Sequence, residues 1–155
     1  MFLLDSFHNK QKNVTSFKPT GVSEDVLNTV LQATVTYPKD FLPHTTIARQ
    51  LEARKKSLEA REPLDWASAE ALAFGSLVLD GKDVRISGQD SERGTFGHRN
   101  AVLHDQETGV EFTPLWNLPG AKERFSVKNS FLSEYAALGY ELGYSFGKPD
   151  ALVIW

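Results

Sequence analysis

The side chains that could do chemistry in this chain are carboxylates and imidazoles. There is no cysteine, which excludes disulfides, thiolate metal sites and thiol nucleophiles and leaves four histidines, His8, His44, His98 and His104. His98 and His104 lie in a loop-like stretch with no carboxylate or cysteine in a ligand pattern beside them, so a metal centre is not indicated. The carboxylate that stands out is Glu134, near the start of the helix-like run NSFLSEYAALGYELGYSF that begins at Asn129. With Ser130 as the cap, Glu134 falls in about the first turn, where the positive end of a helix favours a carboxylate by roughly 0.3–1 kcal/mol. Taken alone, that explains it; the alternative is a proton-transfer group. Ala136, Gly139 and Gly143 share one face at spacings that admit another backbone or a flat ligand, and plain helix packing explains them equally. The polar loop GQDSERGTFGHRN, from Gly88 to Asn100, would leave the carboxyl end of a strand, where open α/β sheets bind ligands; a solvated surface loop is the other reading. GYSFGK is not a phosphate-binding loop, since its spacing is short, no Ser or Thr follows and it trails a helix. GxGxxG does not occur.

The elements that must position these groups read as follows. Residues 1 to 20 show no period and end in KPTG, a poorly ordered lead-in. Ser23 caps a helix whose Val26, Leu27, Val30 and Leu31 recur at helical spacing and which stops before Pro38. A second helix spans Thr45 to Ala60, with Ile47, Leu51, Arg54 and Leu58 on one face. Together, 21–62 form a peripheral, helical linker segment. After Pro63 and the cap Asp65, WASAEALAFGSLVL is apolar or small almost all round, interrupted chiefly by Glu70, as a helix buried inside an α/β domain would be. Val84 to Ser87 is a strand, AVLHD and VEFTPL pair as a hairpin, and RFSVK is a further strand. ALVIW, ending at Trp155, reads as a parallel strand covered on both faces. This order argues for an open, mostly parallel α/β sheet over 63–155. A buried strand with no helix after it implies a domain cut short.

Composition narrows the function classes. A chain of 155 residues suits one domain. Its formal net charge of -3 weighs against a nucleic-acid footprint. No apolar run approaches the ~18 residues that span a bilayer, and the N-terminal stretch fits neither a signal nor a transit peptide. A cytosolic or organelle-matrix protein is expected.

Two long strings carry a resemblance. SGQDSERGTFGHR, within the stretch from Asp65 to Leu115, and the pattern NSxLSEYAxLGxExGYS, within that from Arg124 to Trp155, closely resemble the thiamine diphosphate-dependent, decarboxylating subunit of the 2-oxoglutarate dehydrogenase complex. The likeness extends over roughly Gly21 to Trp155. It implies a transketolase-like pyrimidine-binding domain, here incomplete. By the same matching, Glu134 would hydrogen-bond the pyrimidine ring nitrogen of thiamine diphosphate, Gln89 would face the aminopyrimidine and Leu132 would line its slot. His98, Arg99 and His104 would stand at the mouth, a structural hydrogen bond being as good a reading for each. Magnesium and the diphosphate would be held by a domain this chain lacks. The substrate would be 2-oxoglutarate, with the succinyl group passed to a lipoyl-bearing succinyltransferase component, and the partner would be a second copy of the full-length subunit in a homodimer. Location would be the mitochondrial matrix in a eukaryote and otherwise the cytoplasm. Three departures stand against the pattern: Lys128 replaces a usual tyrosine, Phe131 a small residue, and the histidine common near Trp116 and Asn117 is missing. Family members continue past the position of Trp155 with EAQFGDF, whose Gln and Phe complete the pocket. The alternative reading is therefore a catalytically inactive, truncated fragment that cannot bind the cofactor alone and offers a sheet edge and an apolar face to a partner.

Overall fold

The computed structural model describes residues 19–60 and 63–155. The expected lead-in lies outside the described residues, except for Pro19 and Thr20, which are irregular and exposed.

Helix α1, Glu24–Val35, opens on Ser23, whose Oγ accepts from the Val26 amide at 3.4 Å, and carries Glu24 and Asp25 in its first turn. α2 spans Thr45–Glu59. α3, Trp66–Leu79, is capped by Asp65, whose Oδ1 accepts from the Ser68 amide at 2.7 Å. The strands follow: β1 Val84–Gly88, β2 Leu103–His104 and β3 Glu111–Phe112. A single 3-10 turn, Pro114–Asn117, and the short α4, Ala121–Arg124, lead into β4, Phe125–Asn129. α5, Glu134–Gly147, and β5, Leu152–Ile154, close the described chain.

β1 is the centre of a three-stranded sheet in the order β4-β1-β5, parallel on both sides, with Val84 opposite Phe125 on one flank and Leu152 on the other. The hairpin forms, but its ladder is only Leu103 with Phe112 and His104 with Glu111. The main core packs α1 and α3 on β1 and β4, through Val30, Leu72, Phe74, Val78, Val84, Ile86 and Phe125. A smaller cluster of Phe41, Leu51 and Leu103 sits beneath α2.

Three features differ from the sequence-based expectation. First, α1 is one-sided as its pattern suggests but packs more closely than a linker segment needs to: Val30 is completely buried against α3. The approach is so close that a Cβ on Gly75 would lie 2.3 Å from Val30 Cγ1. Gly75→Ala is expected to cost roughly 1–3 kcal/mol by overpacking, since valine is stiff at χ1 and enclosed. In urea denaturation, the Gly75→Ala/Val30→Ala pair should cost less than the sum of its singles; strict additivity would contradict the clash.

Second, among the described residues β5 pairs with β1 alone and is not covered on both faces. Leu152 is 37% and Trp155 52% exposed, with α5 backing the strand. An apolar run reports burial propensity without reporting whether a neighbour exists, and here β1 lies on one side only.

Third, the small-residue face of α5 meets nothing among the described residues: Cβ atoms on Gly139 or Gly143 would have no described neighbour within 4 Å, and Tyr135, Leu138, Leu142 and Phe146 are exposed around them.

Asp105 ties the hairpin to the segment before α2. Its carboxylate accepts from the Leu42 amide at 2.6 Å and from the Thr108 amide, the Thr108 hydroxyl and the Glu107 amide at 2.8–3.0 Å. The Leu42 hydrogen bond, followed by that of the Thr108 amide, holds its pKa down at about 2, against an ordinary 3.8. A depressed folded-state pKa stabilises fully above the unfolded value and loses that contribution as pH falls through the folded one. The melting temperature of Asp105→Asn should therefore lie below that of the parent at pH 6, with the gap closing between about pH 4 and pH 2. A gap that persists unchanged into acid would contradict this role.

Candidate functional site

The carboxyl end of β1 is built to turn sharply. Gly88 has φ +148, and a Cβ there would stand 3.3 Å from Ser91 Oγ and 3.5 Å from Trp155 Cδ1. Its carbonyl accepts from the Ser130 amide at 2.9 Å, which joins the end of β1 to the chain leaving β4. The loop that follows is knitted together by hydrogen bonds, while Gln89, Arg93, Thr95 and Phe96 stay exposed. Asp90 O accepts from the Gly94 amide at 2.8 Å, Glu92 O from the Ala101 amide at 2.7 Å, and Asn129 Oδ1 from the Glu92 amide at 3.0 Å. Arg99 donates to both oxygens of Glu70, at 2.5 and 3.0 Å, and to Ser91 O at 2.9 Å, fastening the loop to α3.

The serine that caps α5 is Ser133, whose Oγ accepts from the Ala136 amide, and not Ser130, whose Oγ accepts from Leu132 N at 3.2 Å. Glu134 is thus the first residue of the helix. A cleft of about 560 Å3 opens between the end of β1, the knitted loop, the start of α5 and the end of β5. Gln89 and Glu134 bring polar groups to it, and Leu132, Ala137, Ile154 and Trp155 bring apolar ones. Glu134 is exposed and has no hydrogen bond or ion pair among the described residues. Glu141, two turns on, is buried and grips Arg85 of β1 through both oxygens, Nε at 2.7 Å and Nη2 at 2.9 Å, and this hydrogen bonding raises the Arg85 pKa above its ordinary value. A carboxylate free to accept or take up a proton, an amide close by and apolar walls are what a flat, nitrogen-bearing ring requires.

Residues 62–155 match the family described as "Transketolase, pyrimidine binding domain". The chain belongs to this family. Across most of its length it is also homologous to the E1 component of 2-oxoglutarate dehydrogenase. It is 49% identical over 138 residues to the "2-oxoglutarate dehydrogenase, mitochondrial" of Saccharomyces cerevisiae, covering 89% of this chain and 14% of that protein. The protein of the same name from Dictyostelium discoideum is 50% identical over 141 residues, 88% of this chain and 14% of its own. The "2-oxoglutarate dehydrogenase E1 component" of Brucella anthropi is 50% identical over 136 residues, again 88% and 14%. The chain therefore spans about 14% of the length of these relatives. Among the described residues no helix is long and apolar enough to cross a membrane.

In this pyrimidine-binding domain, the candidate residues separate into two groups. Gln89, Leu132 and Glu134 converge on the cleft at the end of β1, and Arg99 borders it while spending its guanidinium on Glu70 and Ser91. His98 and His104 do not line that cleft. His98 lies beside Arg54, Trp66 and Phe96 in a separate depression, packed on Gly94, with its Nδ1 buried and without a hydrogen bond among the described residues. His104 is on β2, near His44 and Arg93. The reasoning from sequence overlooked Arg85 and Glu141, and gave Glu70 no partner. The available signal was the same for both acids: each is a lone carboxylate among apolar and small residues in a helix, where a charge needs an opposite one.

Proposed function

We propose that this chain supplies the pyrimidine-binding half of the thiamine diphosphate site of a 2-oxoglutarate dehydrogenase, with Glu134 as the group that shares a proton with the pyrimidine ring nitrogen. The observation that carries the reading is the Glu134 carboxylate, without a partner among the described residues, at the first residue of α5 and in the same cleft as Gln89. The donor set fits an aminopyrimidine: Glu134 and the Gln89 amide would supply its polar contacts, and Leu132 with Trp155 would offer apolar area to the ring. Bound, thiamine diphosphate supplies the electron sink into which a 2-oxo acid loses carbon dioxide. Glu134 would hold or release a proton at the ring nitrogen of the bound group, the role of a positioned acid–base side chain.

The rest of the assignment follows the relatives. The substrate is 2-oxoglutarate, the succinyl group goes to a lipoyl-bearing succinyltransferase, and a second copy of the full-length subunit is the structural partner. The mitochondrial matrix is the compartment in a eukaryote and the cytoplasm in a bacterium. Magnesium and the diphosphate are held by a part of the protein outside this chain. The isolated 155-residue chain is accordingly inactive, a reading favoured by its 14% share of the relatives' length. Isothermal titration of that chain with thiamine diphosphate and magnesium should show no micromolar binding, whereas a full-length enzyme carrying this segment should bind and decarboxylate. Micromolar binding by the isolated chain would overturn the half-site reading.

A further inference from the structure

We infer that the largely buried pair Arg85–Glu141 is a positioning device for Glu134: it sets the rotation of α5 on the sheet so that the carboxylate at the helix start faces the cleft. The inference rests on Glu134 being the group that meets the pyrimidine.

The geometry of the helix makes the link. Glu134 and Glu141 are seven residues apart, about 20° from lying on one line along the helix and about 10 Å apart along it. Ala137 lies on the same stripe, and Ala137 and Glu141 are the buried residues of α5. Most helices hold their rotation through a broad apolar face pressed into the core. α5 turns much of its apolar surface outward, with Tyr135 90% and Phe146 69% exposed and open space at Gly139 and Gly143. Beside the packing of α5 on β1 and β5, the ion pair is a directional side-chain contact on its buried stripe among the described residues.

That pair is suited to the task. Two parallel hydrogen bonds from a planar guanidinium fix direction as well as distance. Arg85 itself is held on the central strand, opposite Ser126 on β4 and Val153 on β5, with its guanidinium carbon 5.6 Å and 4.7 Å from the ring centroids of Tyr140 and Tyr144. The other tie, Lys148 to Asp83 at 2.5 Å, lies at the far end of α5 and is made by a lysine side chain 55% exposed, a weaker constraint on angle. A buried ion pair is a poor device for stability alone and a good one for registry. A one-residue change of registry turns a helix by about 100°, enough to swing Glu134 off the cleft. From Arg85 the same strand runs on to Gly88 and Gln89, so one side chain references both polar groups of the cleft to a common origin.

The test uses the full-length yeast relative with its matching segment replaced by this chain, loaded with thiamine diphosphate and magnesium. Exchange of the thiazolium C2 proton for deuterium is followed by rapid quench and proton NMR, cofactor affinity by calorimetry, and the melting of the 155-residue chain is recorded in parallel. Arg85→Met/Glu141→Leu should leave the melting temperature within a few degrees and slow the exchange by roughly tenfold to a hundredfold, the range a small misplacement produces. Arg85→Lys, which keeps the charge and loses the fork, should fall between. Parental exchange in the double variant, with slow exchange in Glu134→Gln, would overturn the positioning role and leave the reading of Glu134 standing. Parental exchange in Glu134→Gln would remove that reading and the inference with it.

Discussion

Glu134→Gln in a full-length enzyme carrying this segment should lower decarboxylation of 2-oxoglutarate by roughly 10²–10⁴-fold, the range for losing a positioned acid–base group. The substitution is nearly isosteric, and the amide still accepts a hydrogen bond, but it cannot hold the proton that passes to the ring nitrogen. Folding should be spared, because Glu134 is exposed and unpartnered among the described residues. The forfeited interaction with the helix terminus amounts to only about 0.3–1 kcal/mol. Carbon dioxide release measured beside thermal melting separates the two effects. Normal turnover would remove Glu134 from the chemistry, and a collapse of the melt would show that it holds the fold.

Arg85→Met should be the most destabilising of the substitutions considered, by roughly 3–5 kcal/mol in urea denaturation. The reason is what remains: Glu141, with a side chain 4% exposed, would keep a charge with neither water nor partner. Arg85 is 19% exposed, which allows some water in and points to the lower part of that range. Removing both charges as Arg85→Met/Glu141→Leu should recover most of the loss, since an apolar pair of similar volume suits the same space. Marginal stabilities of about 5–15 kcal/mol make the single change visible as a large shift of the denaturation midpoint. A single variant within about 1 kcal/mol of the parent would mean that Glu141 finds another partner or is solvated.

The two acids of α5 also show what sequence could and could not convey. Element order was legible because it is written in local periodicity: the all-round apolar α3, the RFSVK and ALVIW runs and the capped start of α1 all appear as strands or helices. Glu134 stood out as a candidate because a long string around it has a family likeness. Its exact place was not legible, because Ser130 and Ser133 are equally good capping residues by type, and only the extended backbone at Ser133 (φ -58, ψ 155) decides between them. Contacts distant in sequence left no such trace. Arg85 and Glu141 are 56 residues apart and Glu70 and Arg99 are 29 apart, so no window of local pattern contains either pair. The same holds for Gly75 against Val30, where the close fit of α1 on α3 depends on the absence of a single Cβ. The exposure of β5 was hidden for another reason: an apolar strand reads alike at the centre and at the edge of a sheet, and strand order is a property of the whole fold.

The most direct test is a structure of the full-length enzyme carrying this segment with thiamine diphosphate bound. A carboxylate oxygen of Glu134 should lie within about 2.6–3.2 Å of a pyrimidine ring nitrogen, with the Arg85–Glu141 fork intact. A pyrimidine seated elsewhere, or Glu134 bonded to another protein group while the cofactor is in place, would contradict it.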